Sequence, residues 1–193
     1  MRTRPSIQKP LSRRRLLQWG AGGCALGLCG AVPAATGGEA RSLGFVHTHT
    51  GEELTVVYWR NGQYDQSALR RIDWLLRDFR TGGAHRMDPR LMDVLFDLHA
   101  LCGVDAPFHI ISAYRSPQTN GMLRSHSTGV AKHSLHMQGK AIDVRIPGVP
   151  TLQLAANARQ LQRGGVGTYE ASAFVHVDIG RVRYWQQTSP ATE

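Results

Sequence analysis

An α+β domain, helices packed on a small antiparallel sheet, is the fold this sequence predicts, and three observations predict it. Two stretches carry apolar residues at helical spacing, several short runs alternate with a period of two, and glycine-punctuated turns separate them without any internal repeat. With 193 residues and ordinary apolar content, the chain has material for one full-sized core, so a single domain over about residues 36–187 is expected.

The elements follow in order. Residues 43–47 and 54–59 are strand-like runs around Thr50-Gly51-Glu52, which predicts a hairpin, and Asn61-Gly62 marks the next turn. Over 66–79, Leu69, Ile72, Leu75, Leu76 and Phe79 recur at helical spacing with Arg70, Arg71, Asp73, Arg77 and Asp78 opposite, and Gly82-Gly83 ends the segment. Asp88-Pro89 places a capping acid before a proline suited to a first helical turn. Leu91, Met92, Leu95, Leu98 and Leu101 then carry a second helix to Gly103. Residues 108–112 form a strand that runs into the polar loop Ala113-Tyr114-Arg115-Ser116-Pro117, and 118–126 a short helix. A strand over 141–146, a helix over 152–161 and a strand over 174–179 complete the pattern, and residues 188–193 form a disordered tail.

The first 35 residues are a targeting segment. Ser12-Arg13-Arg14-Arg15-Leu16-Leu17 precedes a mildly apolar, glycine-rich stretch, and Val32-Pro33-Ala34-Ala35 offers small residues for cleavage; the segment resembles a twin-arginine export signal. It holds six basic residues and no acid, so discounting it takes the formal charge from +9 to +3. The rest shows no basic stripe interleaved with aromatics, and a nucleic-acid partner is not expected. Cys24 and Cys29 leave with the signal, so the mature chain keeps Cys102 alone, read as a buried small residue at a helix end, and forms no internal disulfide. Expected are a periplasmic location, passage through the twin-arginine export machinery, membrane contact only through an uncleaved signal, and a monomer.

The chemistry lies in two separated segments. Ser134-Leu135-His136-Met137-Gln138-Gly139-Lys140-Ala141-Ile142-Asp143 sets an imidazole and a carboxylate seven apart across a glycine turn that enters a strand. Taken alone, these are a surface histidine and a strand-start aspartate. His176, in Phe174-Val175-His176-Val177-Asp178, changes the balance: between apolar neighbours an unpartnered imidazole is costly, and a metal serves as partner. Two imidazoles and a carboxylate suit an open zinc site. Asp178 shares a strand face with His176 and either accepts the proton of an attacking water or orients an imidazole. Arg115 holds a substrate carboxylate or stabilises an oxyanion. His133 is a loop histidine able to line the cleft, and His47 and His49, without a carboxylate at useful spacing, are read as surface residues.

Tyr114-Arg115-Ser116, Ser134-x-His136-x-x-Gly139-x-Ala141-x-Asp143, and Gly164-Gly165-Val166-Gly167 through Phe174-Val175-His176-Val177-Asp178 together resemble the zinc D-Ala-D-Ala carboxypeptidase and VanX superfamily, and within it the murein endopeptidases of the MepK type. The likeness runs from about Leu43 to Trp185. It implies a Hedgehog/D-Ala-D-Ala carboxypeptidase-like fold, Zn2+ held by His136, Asp143 and His176, Arg115 near the substrate, Ser134 lining the site, and cleavage of peptide cross-links in peptidoglycan. Carboxypeptidase relatives place a Glu three residues before the last ligand or a His two before it, where this chain has Ala173 and Phe174. Asp178 is therefore the nominee for the proton-moving group. The alternatives are a carboxypeptidase trimming terminal D-alanine and a zinc-containing peptidoglycan-binding module without catalysis.

Overall fold

The computed structural model describes residues 39–127 and 129–188, so the export segment and all of the expected tail beyond Thr188 lie outside the described residues. Strand β1 (Ala40–His47) and β2 (Glu53–Arg60) form the expected hairpin, with Leu43, Phe45, Leu54, Val56 and Tyr58 turned to the core. Asn61 and Gly62 both take positive φ, 50° and 83°, which matches the twist of the antiparallel ribbon and starts β3 (Gln63–Tyr64).

Helix α1 (Gln66–Leu75) begins at Asp65, whose carboxylate accepts from the Ser67 and Ala68 amides at 2.7 and 3.1 Å. It stops about a turn before the periodic stripe does. Beyond Leu76 the backbone serves other partners: the Leu76 carbonyl accepts from Tyr114 N at 3.0 Å, and the buried Asp78 carboxylate accepts from Arg80 N and Ser116 N. Tertiary hydrogen bonds override local propensity there. Helix α2 (Pro89–Cys102) keeps its predicted bounds, with Asp88 accepting from Arg90 N at 3.0 Å and Gly103 closing it at φ 63°.

The sheet is larger than the small antiparallel one expected. Its eight strands run β3-β2-β1-β4-β5-β7-β6-β8, with β4 (Phe108–Ser112), β5 (Ala141–Arg145), β6 (Gly165–Tyr169), β7 (Phe174–Asp178) and β8 (Arg183–Gln187). Most pairings are antiparallel, but β1 with β4 and β6 with β8 are parallel. Alternation identifies a strand and its buried face, not its neighbour, and helices α1 and α2 supply the long connection that the first parallel pair needs. Helix α4 (Thr151–Gln160) packs beside α2 and against β6 and β7, while α3 (Pro117–His126) follows β4.

One core cluster joins Leu69, Ile72, Leu91, Leu95 and Leu98 of the helices to Phe45, Ile110, Ile142, Val144, Val175 and Val177 of the sheet. Burying each such side chain contributes about 1.5–3 kcal/mol. Asp143 and His176 alternate with the core positions and so face the other side of the sheet. His47 is not a surface residue: it is buried, edge-on to Phe79 at 5.6 Å, and its Nδ1 accepts from His49 N at 3.2 Å. His49 is exposed and stacks on Phe79 at 4.0 Å. Cys102 is half-buried, with Sγ accepting from Asn157 Nδ2 at 3.4 Å. No described helix is long and apolar enough to cross a membrane.

Candidate metal centre

The Ser-x-His-x-x-Gly spacing is a cap, a presented side chain and an exit. Ser134 Oγ accepts from His136 N at 3.3 Å and opens a short 3-10 turn, Leu135–Gln138. Gly139 closes it at φ 64°, where a Cβ would come within 2.3 Å of the Arg86 carbonyl oxygen, so neither the conformation nor the space admits a side chain. The chain then enters β5, whose third residue is Asp143, the direct cross-strand partner of His176 in β7.

These elements bring His136, Asp143 and His176, all buried, to one point, with one donor atom from each within 4.8 Å of the others. His136 Nε2 lies 3.1 Å from His176 Nδ1 and 3.3 Å from Asp143 Oδ2, and His176 Nδ1 lies 2.8 Å from Asp143 Oδ1. The outward nitrogens assign the protons. His136 Nδ1 sits 2.6 Å from the Ala113 carbonyl and His176 Nε2 2.9 Å from Asp178 Oδ2, acceptors that oblige each ring to donate outward. In the neutral rings, both inward nitrogens are then lone pairs facing each other and a carboxylate. That arrangement calls for a positive charge between them, and the donor set fits a metal ion.

The electrostatics express the same preference. Burial, reinforced by the Arg115 guanidinium, pushes the His136 imidazole down to about 4. Burial opposes protonation of His176 too, but hydrogen bonds to Asp143 and Asp178 outweigh it and raise the ring above the usual histidine range. Burial also opposes ionisation of Asp143, yet His136 and Arg115 hold its carboxyl well below the ordinary carboxylate range. The pocket thus keeps its carboxylate charged and the His136 imidazole neutral, the states in which each can ligate a metal.

The surrounding residues fix these groups. Arg115 is buried in the loop after β4, where Nε donates to Ser112 Oγ at 2.8 Å and Nη2 to Asp143 Oδ2. Asp78 holds that loop through Ser116 N at 2.9 Å. Asp178 lies at the edge of the His176 ring away from the other two donors. Its Oδ1 accepts from Gly165 N, Gly180 N and Arg183 Nη1 at 3.0, 2.8 and 3.1 Å, and its Oδ2 from Arg183 Nη2 at 2.6 Å. Burial opposes its charge, but His176 and Arg183 outweigh it and hold its carboxyl well below the usual range.

A cleft opens over the donor set. Arg115, His133, Ser134, His136, Asp143 and His176 all line it, joined by the aromatic side chains of Tyr169, Phe174 and Trp185, whereas Asp178 does not. Trp185 sits 5.1 Å from the His176 ring and donates from Nε1 to Tyr169 Oη at 3.1 Å. The glycine motif serves this wall, since a Cβ on Gly165 would meet Asp178 and Arg183, and one on Gly167 would meet the Trp185 indole at 2.4 Å.

A family model described as peptidoglycan L,D-endopeptidase MepK matches residues 35–185. The chain belongs to this peptidase family. A Haemophilus influenzae protein named "Probable peptidoglycan L,D-endopeptidase MepK" is 42% identical over 147 residues, covering 76% of this chain and 79% of that protein. Its Escherichia coli K12 counterpart, named peptidoglycan L,D-endopeptidase MepK, is 37% identical over 178 residues, 90% of this chain and 97% of that protein. No solved structure matches the chain significantly.

The geometry adds residues that sequence reasoning passed over. Asp78 was one polar position on a helical stripe, and Arg183 one basic residue near the end of the chain. The signal for Arg183 was its place in a two-residue repeat with Trp185 and Gln187, the period of a strand face.

Proposed function

We propose that this chain is a zinc-dependent endopeptidase hydrolysing the peptide cross-links of peptidoglycan, with His136, Asp143 and His176 as the metal ligands. The observation that carries this reading is the convergence of two outward-donating imidazoles and a charged carboxylate on the floor of an open cleft. A zinc ion held there supplies Lewis acidity, polarising a carbonyl and bringing the pKa of water to about 7. Arg115 keeps Asp143 oriented and presents a fixed cation at the cleft, where negative charge builds on the substrate. Of the two roles open to Asp178, orienting His176 is the better supported: both its oxygens are occupied by donors, and a carboxylate held so acidic is a weak base. His133 lines the cleft outside the ligand set, where it meets the substrate. Ser134 shapes the cleft by capping the turn that presents His136.

The protein acts at the cell wall, carried there folded by the twin-arginine route through Arg13 and Arg14. Lysine at both positions is expected to hold the chain in the cytoplasm, as fractionation reads directly. Activity is tested by digesting purified cross-linked muropeptides and weighing the fragments. Cross-link scission gives two separated peptides, and trimming of terminal D-alanine gives a different mass. Unchanged fragments together with retained binding to sacculi would replace the enzyme by a binding module.

A further inference from the structure

Strand β8 is the edge strand beside β6, and its period places Arg183, Trp185 and Gln187 on one face. All three line the cleft, while Tyr184 and Gln186 between them are exposed and outside it. One strand face therefore presents a cation, an indole and an amide along the cleft wall. The Arg183 side chain is 32% exposed, against 0% for its partner Asp178. Its bonds to Asp178 and to the Arg181 carbonyl use three of the five N–H groups of a guanidinium. The group also lies 5.0 Å over the Trp185 ring, which fixes its plane.

The charge balance of the cleft gives this cation a purpose. Among the described residues, its lining carries Arg115 and Arg183 but no carboxylate other than Asp143, which the ligand set and Arg115 engage. The Arg115 side chain is 10% exposed and committed to Asp143 and Ser112, so Arg183 is the more accessible cation. Neutralising Asp178 alone does not require it to reach the cleft, because Gly165 N, Gly180 N and His176 already donate to that carboxylate. We propose that Arg183 is a specificity-determining residue that binds a carboxylate of the substrate peptide close to the scissile bond, with Trp185 as the flat wall beside it. This rests on the peptidoglycan endopeptidase reading and names the feature of the peptide that the cleft selects, a free acid rather than its amide.

The test compares two cross-linked peptide dimers that differ only in whether the carboxylates flanking the scissile bond are free or converted to primary amides. The metal-loaded protein is expected to favour the free acid about tenfold in kcat/KM, mainly through KM. Arg183→Gln is expected to bring the ratio to within about twofold of unity, and Arg183→Lys to restore part of it. Damage to Asp178 or to metal retention lowers both substrates alike and leaves the ratio unmoved. An Arg183→Gln ratio equal to that of the parent protein, or a parent ratio near one, overturns the proposal. Equilibrium binding of the same two peptides reads the preference without turnover. If the parent protein binds the free acid preferentially, and Arg183→Gln does not, but neither dimer is cleaved, Arg183 stands and the hydrolytic reading falls.

Discussion

Strands β5 and β7 carry two different kinds of stability on their two faces. On one face Ile142, Val144, Val175 and Val177 are fully or almost fully buried and share one hydrophobic cluster with the helices. On the other, Asp143, His176 and Asp178 are buried too but bound by directional contacts to named partners. The ladder pairs like with like, Ile142 opposite Val177 and Asp143 opposite His176, so one register positions both faces. Apolar contacts are non-directional and tolerate exchange of shape for shape, whereas the polar face admits only groups that offer the right donor or acceptor at the right atom. The same backbone thus separates what folds the domain from what the domain does.

Removing a ligand should break that separation most visibly. His136→Ala or His176→Ala is expected to abolish metal retention and hydrolysis while leaving a soluble, cooperatively folded protein, read from metal content, muropeptide digestion and circular dichroism. Full activity in either variant would sink the metal-centre assignment. The converse change lies one residue from Asp143. Ile142→Ala is expected to cost about 2–5 kcal/mol of stability in urea titration while the folded fraction keeps its metal and its kcat. Loss of metal at full folding in this variant would show that the two faces are not independent.

Asp178→Asn sharpens the comparison by leaving size unchanged. The amide keeps an acceptor for His176 but turns its NH2 onto the Gly165, Gly180 and Arg183 donors, and about 10- to 100-fold is expected to be lost in metal affinity or activity together with a lower unfolding midpoint. A loss confined to kcat, with metal affinity intact, would instead favour Asp178 as the group that moves the proton.

Much of this was legible in the sequence because short-range chemistry dictates it. Asp88-Pro89 and Gly103 bracket α2 by their own conformational preferences, and Ser134, His136 and Gly139 are cap, ligand and exit within one turn. What stayed hidden depends on contacts distant along the chain. The end of α1 is set by Tyr114 and Ser116, and the burial of His47 by Phe79. Strand order and the parallel place of β8 follow from packing rather than from alternation, so the Arg183 and Trp185 wall could not be assembled from spacing alone. The glycines of residues 164–167 were visible as a motif, but their reason is what presses against them: the Asp178 backbone on Gly164, and side chains of β7 and β8 on Gly165 and Gly167.

The smallest effect is expected at Asp78, which belongs to neither face yet holds the loop that carries Arg115. Burial disfavours its charge, but hydrogen bonds from Thr119, Ser116 and Arg80 outweigh that cost and lower its pKa in the folded protein. A carboxylate that is more acidic folded than unfolded contributes stability above its unfolded pKa, about 3.9, and loses it as pH falls through the lower folded value. Asp78→Asn should therefore flatten the acid limb of stability, shifting the urea midpoint less between pH 7 and pH 3 than in the parent protein. Because the amide retains one acceptor oxygen for Ser116 N, Arg115 should stay in place and kcat at pH 7 should fall only a few fold. An unchanged acid limb in Asp78→Asn would mean that this carboxylate orders the loop without the charge that the geometry gives it.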